Sequence, residues 1–334
     1  MRRLAILAVL TGLLLATPAH AAIRGLGTWD PVAQRIVRQA GVLPSLTPGV
    51  FGGEQRLAGT QLRDALAVLA ARQGTLPVAA PTGRVSVSHF DAILVEQLGL
   101  GDVAHAVQAE AWRAGLQPPP RFGTEVVARQ LALRFNHDSA HDAQELFPYE
   151  AITRAEAAWS LATVLGFDGS EAAYAREVLG QFHLPDYTPG QRHALRIAVS
   201  KIGMPYIWGG ETDNAGSWYG WQAHGGYDCS GYVWRIFKLG RLAAGARIHG
   251  RTAAAMAGEI PRSARIRLED TQPGDLLFFG PGRFWQRTTE ARITHVGIAM
   301  GSGFMIQSSS QGVFVAPLWE DWRVKGFSWA RRVL

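Results

Sequence analysis

A run of residues that starts at the only cysteine restricts the fold most strongly. Cys229 follows Asp228, and from Ser230 to Phe237 apolar side chains recur at helical spacing. The pattern predicts a buried helix that begins at the thiol. The dipole and free N–H groups of a helix N-terminus favour an anion, so we expect a thiolate to be accessible near neutral pH. The same N–H groups could hold an oxyanion.

The N-terminus has the pattern of an export signal. Arg2 and Arg3 precede an apolar run over residues 4–15, and Ala19-His20-Ala21 fits a cleavage site. We therefore predict a signal peptide over residues 1–22 and a secreted protein, extracellular or associated with the cell wall. A retained membrane anchor is the alternative. A single cysteine is unusual outside the cell, where cysteines generally pair, so the thiol is either buried and inert or chemically used.

Charge and length restrict the partners and the number of domains. The 334 residues suggest about two domains. The formal net charge is +6 and the isoelectric point about 9.8, which suits an acidic polymer such as a wall polymer. Because no run of five basic residues occurs and an export signal is present, we do not expect nucleic acid as a partner.

The first domain, predicted over residues 23–185, is all-α and repeat-like. Hydroxyl side chains that could accept a free backbone N–H precede each predicted helix. These predicted N-caps are Thr60, Ser88, Thr124 and Thr153.

The segment from Ala151 to Glu156 resembles the most characteristic element of S-layer homology repeats. That resemblance implies that the helical domain binds an anionic wall polymer, with Arg154 directed at the sugar. A plain helical domain without such binding is the alternative. His137 and His141 have a spacing that could suit zinc, but no Glu follows the first His as in metallopeptidases, and the surrounding residues indicate a loop. We therefore expect no metal.

Two residues further along the chain could complete a thiol site. His295 opens a strand-like run, and Gln307 lies on the next predicted strand, after a turn at Gly301-Ser302-Gly303. Adjacent antiparallel strands would bring the two side chains to one face. Gln307 could then accept a hydrogen bond from one imidazole nitrogen and leave the other for the thiol. Each signal alone is weak.

Four motifs together resemble the NlpC-type cell-wall cysteine endopeptidases, which are papain-like. The resemblance covers about residues 190–334 and implies an α+β domain, here predicted over 186–334, with helices packed on an antiparallel sheet. It implies Cys229 as nucleophile, His295 as base and Gln307 as the residue that orients the base. Gln is a less common third member than His or Asn. The motifs are Pro205-Tyr206-Ile207-Trp208-Gly209-Gly210, Asp228-Cys229-Ser230-Gly231, Pro273-Gly274-Asp275-Leu276-Leu277-Phe278-Phe279 and His295-Val296-Gly297-Ile298.

The resemblance also implies substrate-binding residues around the thiol. Tyr206 would shape the oxyanion region, Trp208 belongs to the same motif, and Asp228 and Ser230 would contact substrate. Tyr206 could instead only pack, and Asp228 could only cap the helix.

Two inserts depart from the family pattern, over residues 211–227 and 280–294. We expect these inserts to alter substrate specificity. The alternative is that they form a small additional core or a lid. Their notable side chains are Trp218, Tyr219, Trp221, His224, Phe284, Trp285, Arg287 and Arg292.

The expected reaction is amide hydrolysis through an acyl-enzyme, without a cofactor. The resemblance implies a peptidoglycan stem peptide as substrate, at the bond from D-γ-glutamyl to a diamino acid. An amidase or acyl transferase on the same scaffold is one alternative. A wall-binding structural protein with an inactive hydrolase domain is another.

Overall fold

The computed structural model describes residues 31–217, 220–285 and 292–334. The predicted signal peptide lies outside these residues. Within the described part of the chain, no helix is long and apolar enough to cross a membrane.

The N-terminal half of the described chain is helical, as predicted. Its α-helices are α1 Pro31–Gln39, α2 Gly59–Gln73, α3 Val87–Gln97, α4 Gly101–Arg113, α5 Phe122–Gln130, α6 Arg154–Leu165 and α7 Ser170–Leu179, with a 3₁₀ turn at Ser139–Gln144.

Three of these helices start at a common junction. The extended segments before α2, α3 and α6 pair with one another through isolated β-bridges. For example, Leu57 N–H donates to the carbonyl of Ile152, and Ile152 N–H donates to the carbonyl of Val85. The repeat-like sequence therefore produces a repeat-like arrangement.

One of the four predicted caps is confirmed, and the other three are wrong. Thr153 accepts the backbone N–H of Glu156 at 3.2 Å. The cap of α3 is Ser86 rather than Ser88, and α2 begins after Ala58 rather than Thr60. Thr124 lies inside α5. The bridged segments decide where the extended chain ends and the helix begins. The hydroxyl that caps α3 or α6 is therefore the one at the end of its bridged segment, Ser86 or Thr153.

Arg154 does not face solvent. Its side chain is 1% exposed, donates to the carbonyl oxygens of Phe51 and Pro44, and lies over the Phe51 ring. The expectation that it points at an anionic polymer is therefore wrong. The sequence did not reveal this burial because the chain that covers Arg154 lies about 100 residues earlier. Polymer binding by other parts of the helical surface stays a prediction.

The C-terminal half forms the predicted antiparallel sheet with packed helices, and the α+β assignment is confirmed. Its five strands lie side by side in the order Gly312–Pro317, Phe304–Ser309, His295–Gly301, Leu276–Phe279 and Phe327–Arg331. Helices are α8 Pro189–Ser200, α9 Cys229–Trp234, which continues as a wider π-type turn Arg235–Leu239, α10 Ala253–Gly258 and α11 Asp321–Gly326, with 3₁₀ turns at Ala243–Arg247, Arg262–Ala264 and Leu268–Asp270. Strands are β1 Glu211–Thr212, β2 Gly216–Ser217, β3 Gly220–Trp221, β4 Gly226–Tyr227, β5 Leu276–Phe279, β6 His295–Gly301, β7 Phe304–Ser309, β8 Gly312–Pro317 and β9 Phe327–Arg331.

The two halves share one continuous hydrophobic core. Phe182 packs edge-on against Phe304, with ring centroids 5.0 Å apart. The connection between α7 and α8 is itself packed, since Leu184 and Tyr187 are buried. The domain boundary at 185/186 stays a prediction, but this connection is not a loose linker, and the helical half is held against the sheet.

Candidate active site

Cys229 is the first residue of α9, as predicted. Asp228 is the N-cap and accepts the backbone N–H of Gly231 at 2.5 Å. Val233, Ile236 and Phe237 on the following turns are completely buried. This apolar face anchors the helix in the core, so the position of the thiol is fixed by packing.

His295 and Gln307 are brought together by the sheet. The two residues lie on neighbouring antiparallel strands, β6 and β7, joined by the predicted turn. Nε2 of His295 lies 2.6 Å from Oε1 of Gln307. With the amide oxygen as acceptor, Nε2 carries the proton and donates it to the hydrogen bond, which leaves Nδ1 with a free lone pair.

Gly297 lies beside this pair. A Cβ at this position would lie 2.6 Å from the end of the Met305 side chain and in ordinary contact, at 3.4 Å, with Cβ of Gln307. The glycine of the His-Val-Gly motif therefore has a packing reason, because a side chain there would displace Met305.

The thiol, the imidazole and a tyrosine border one cavity of about 340 Å³. Cys229 itself is 9% exposed. The cavity is polar around these three groups, and it receives side chains from both halves of the molecule. Its lining residues are Asn136, His137, Tyr206, Cys229, Thr294, His295, Ser309 and Ser310.

The environment keeps the thiol and the imidazole uncharged. Burial, followed by the charge of the Asp228 carboxylate, raises the pKa of Cys229 to about 11. Backbone N–H groups of Val296 and Ser230 and the charge of Arg251 act in the opposite direction but do not outweigh burial. Burial also lowers the pKa of His295, although its hydrogen bond to Gln307 opposes this.

In the free protein, burial therefore opposes the expected thiolate near neutral pH. Desolvation is stronger here than the field of a short helix. The resting pair is a thiol beside a neutral imidazole, with Nδ1 available as a base.

Tyr206 borders the cavity, in line with its predicted role. It is half-buried, and burial followed by the charge of Cys229 raises its pKa well above the usual range. The phenol therefore stays protonated and can donate a hydrogen bond. Trp208, two residues on, is 72% exposed. Its side chain is accessible for a substrate contact, which stays a prediction.

Asp228 and Ser230 are not among the residues that line the cavity. Asp228 caps α9 and also pairs with Arg251 at 3.1 Å, and Arg251 donates to Ser230 Oγ at 3.0 Å. Arg251 further pairs with Glu211 at 2.9 Å. These contacts give both residues a structural function, and their substrate contacts stay a prediction. Sequence reasoning missed Arg251, which follows Gly250 in a loop without a recognisable pattern.

Two cavity residues from the helical half were also missed. Asn136 and His137 lie on the loop after α5, about 70 residues before the first catalytic motif. His137 Nε2 bonds Glu156 Oε1 at 3.0 Å, and His141 bonds Asp138 at 2.7 Å. The two histidines therefore have separate partners. The described ranges contain no group of three potential metal ligands.

The first insert is held by contacts with both halves of the molecule. The His224 ring packs on Phe147 with centroids 4.3 Å apart, and Asp213 pairs with Lys201 at 2.8 Å and Arg235 at 2.9 Å. Trp221 is 81% exposed. This insert is thus anchored at its base, with an aromatic ring left in solvent, while Trp218 and Tyr219 lie outside the described residues.

The second insert is described at its two ends only. Phe284 packs against the core, Trp285 is 65% exposed and Arg292 is exposed. Arg287 lies outside the described residues. A role of either insert in specificity stays a prediction.

Comparison with known proteins supports the resemblance seen in the motifs. Residues 203–332 match the NlpC/P60 family. A probable endopeptidase of Mycobacterium tuberculosis is 34% identical over 133 residues, which cover 40% of this chain and 27% of that protein. The gamma-D-glutamyl-L-lysine dipeptidyl-peptidase of Bacillus subtilis is 31% identical over 112 residues, 33% of this chain and 29% of that protein. Murein DD-endopeptidase MepH of Escherichia coli is 31% identical over 165 residues, 48% of this chain and 52% of that protein. The chain therefore spans about half or less of these relatives.

Proposed function

Starting from an NlpC/P60 domain at residues 203–332, we propose that this protein is a cysteine peptidase that hydrolyses amide bonds in the stem peptides of peptidoglycan. One observation carries the proposal. His295 is oriented by Gln307 at 2.6 Å and borders the same cavity as Cys229, which starts a buried helix. This is the nucleophile, base and orienting group that thiol catalysis requires.

The first half of the reaction forms a thioester. His295 Nδ1 takes the Cys229 proton as the sulfur attacks the carbonyl carbon, because the resting pair is neutral. A C–S bond forms and the carbonyl oxygen becomes an oxyanion. Backbone N–H groups at the start of α9 and the Tyr206 hydroxyl are the donors in position to hold it. The imidazolium then protonates the leaving amine as the C–N bond breaks.

The second half releases the acid. His295 removes a proton from water, and the resulting hydroxide attacks the thioester carbonyl. The C–S bond breaks, and the proton returns from the imidazolium to the sulfur. Throughout both halves Gln307 accepts from Nε2, which keeps the ring in one tautomer and one orientation.

The bond we propose is that from D-γ-glutamyl to a diamino acid. The Bacillus subtilis relative is named for a γ-D-glutamyl bond, whereas the Escherichia coli relative is named for a DD bond. We also propose that the protein is exported and acts at the wall. Its basic charge suits this location.

Digestion of purified peptidoglycan tests the proposal. The parent and the Cys229→Ala variant are compared by mass spectrometry of the released fragments. We expect new stem-peptide ends from the parent, with the rate in the variant lower by about 10⁴-fold or more. Release of a fragment that begins at the diamino acid, from isolated muropeptides, would identify the D-γ-glutamyl bond as the one that is cut.

Other outcomes have definite meanings. Release of intact stem peptides from the glycan would show an amidase. Sedimentation with insoluble wall in the absence of any cleavage, at every pH tried, would replace the enzyme with a wall-binding protein. Detection of residues 1–22 on protein recovered from the medium would contradict cleavage of the predicted signal.

A further inference from the structure

Two side chains of the helical half hold the segment that brings Tyr206 to the cavity. Asn136 Oδ1 accepts the backbone N–H of Tyr206 at 3.2 Å. Asp142 Oδ2 accepts the backbone N–H of Trp208 at 2.8 Å. Both acceptors lie on the loop between α5 and α6, so the backbone on either side of Ile207 is tied to a different part of the fold.

Asn136 is itself held firmly. Its Nδ2 donates to the carbonyl of His137 at 3.0 Å. The backbone N–H of His137 donates to Glu145 at 2.6 Å, and its ring bonds Glu156 at 3.0 Å. Glu145 and Glu156 are both buried and both pair with Arg134. Asn136 therefore projects from a rigid platform rather than from a free loop.

The position of Tyr206 matters because it lines the same cavity as the thiol. Asn136 lines that cavity as well. The family match begins at residue 203, so Asn136 lies outside the matched domain. The catalytic cavity is thus completed by a part of the chain that the domain does not include.

We propose that Asn136 is a positioning residue for the thiol reaction, which acts by holding Tyr206 so that its hydroxyl is directed at the reacting carbonyl oxygen. The helical half is then a working part of the active site in addition to any role in location. This inference rests on the proposed function.

A purely structural role for Asn136 would give a different result, and a double-mutant cycle separates the two. We expect Asn136→Ala to lower kcat on a muropeptide by about 10-fold to 100-fold, the range for a misplaced catalytic group, with a smaller change in KM. In the Tyr206→Phe background, where the hydroxyl is already absent, the same substitution should change kcat less than about twofold. Asn136→Asp keeps the acceptor oxygen and should recover most of the lost kcat.

Gln108 provides a matched control. Its Oε1 accepts the Gly123 N–H at 2.9 Å and its Nε2 donates to the Pro119 carbonyl at 3.2 Å. The bonding resembles that of Asn136, but it lies within the helical half. Gln108→Ala should leave kcat unchanged at temperatures where it is folded. An equal loss of kcat in Gln108→Ala, or losses from Asn136→Ala and Tyr206→Phe that multiply independently, would overturn the proposal.

Alkylation of Cys229 keeps this inference separate from the proposed function. Because the chain has one cysteine, iodoacetamide incorporation reports on that site without any substrate. We expect Asn136→Ala to change the alkylation rate by about threefold or more, through movement of Tyr206, and Gln108→Ala not to change it. If the parent cuts no peptidoglycan but this difference is present, the proposed function fails and the positioning role stands. If the parent cuts and neither kcat nor alkylation responds to Asn136→Ala, the positioning role fails alone.

Discussion

Two histidines border the same cavity, and they differ in the group that holds them; His137 is buried and His295 is half-buried. Nε2 of His137, from the helical half, lies 3.0 Å from a carboxylate oxygen of Glu156. Nε2 of His295, from the sheet, lies 2.6 Å from the amide oxygen of Gln307. The hydrogen-bond acceptor is therefore a carboxylate for His137 and an uncharged amide for His295.

The ionic setting makes His137 part of the framework. Arg134 pairs with Glu156 at 2.9 Å and with Glu145 at 3.3 Å, and all three side chains are buried. Buried charges of this kind are stable only while each keeps its partner. The His137 ring is therefore one of the partners of the buried Glu156 carboxylate.

The neutral setting leaves His295 able to exchange a proton. An uncharged acceptor orients the ring without strongly stabilising the imidazolium, and burial lowers the pKa of the ring. The acceptor therefore separates the histidine that we assign to the framework from the one that we propose as the base.

Alanine substitution of each histidine should give the largest effects, and it tests directly whether the two residues have different roles. We expect His295→Ala to lower kcat by about 10³-fold, because the general base is lost, with little change in unfolding free energy. His137→Ala should instead lower the unfolding free energy by about 1–3 kcal/mol, because buried polar partners are left unsatisfied. Muropeptide kinetics and urea unfolding followed by tryptophan fluorescence measure both. If His137→Ala costs more kcat than His295→Ala, the roles assigned here are reversed.

Removal of the shared cation tests the framework. Arg134→Met should lower the unfolding free energy by about 3–5 kcal/mol, because the buried Glu156 carboxylate loses its charged partner and Glu145 loses a hydrogen-bond donor. The control is Arg176→Met, which breaks an exposed pair with Asp102 and should cost at most about 1 kcal/mol. Similar costs in urea unfolding for the two variants would contradict the assignment of a buried ionic framework.

The Gln307→Glu substitution replaces the neutral amide acceptor of His295 with a carboxylate. A carboxylate favours the imidazolium, so the pKa of His295 should rise from its present position below 6.5. Because only the neutral ring can accept the thiol proton, the acidic limb of kcat/KM should move upward by about one pH unit. Gln307→Met, which is neutral and similar in size, is the control and should not move the limb upward. A limb that stays in place or moves to lower pH in Gln307→Glu would contradict the assignment of His295 as the base whose protonation limits activity in acid.

The smallest effect expected concerns stability and pH. Burial raises the pKa of Glu145 to about 8 from its ordinary value of 4.5. The folded protein then binds more protons than the unfolded chain between these values, so this group contributes stability below pH 4.5 that is lost as pH rises through about 8. Glu145→Gln should reduce that loss by on the order of 1 kcal/mol between pH 5 and pH 8. Glu177→Gln, on the surface, is the control, and identical slopes in pH-dependent urea unfolding would contradict the prediction.

Much of the site was predictable because local chemistry and strand pairing decide it. Apolar residues at helical spacing after Cys229 predicted a buried helix, and that helix is present. The turn expected between β6 and β7 predicted that His295 and Gln307 would lie side by side, and their side chains are hydrogen-bonded. Helix starts were less predictable, because Ser86 and Ser88 can both cap and only the paired junction selects one.

Sequence patterns were enough to select the residues that we propose as nucleophile, base and orienting residue, since each depends on a short segment or on two strands joined by one turn. Only the tertiary structure decided the charge state of the pair, because desolvation depends on everything packed around Cys229. It also decided that Arg154 is buried and that Asn136 reaches Tyr206. Both results come from contacts between segments about 70 to 100 residues apart, and no local pattern records which distant residue will cover or hold a side chain.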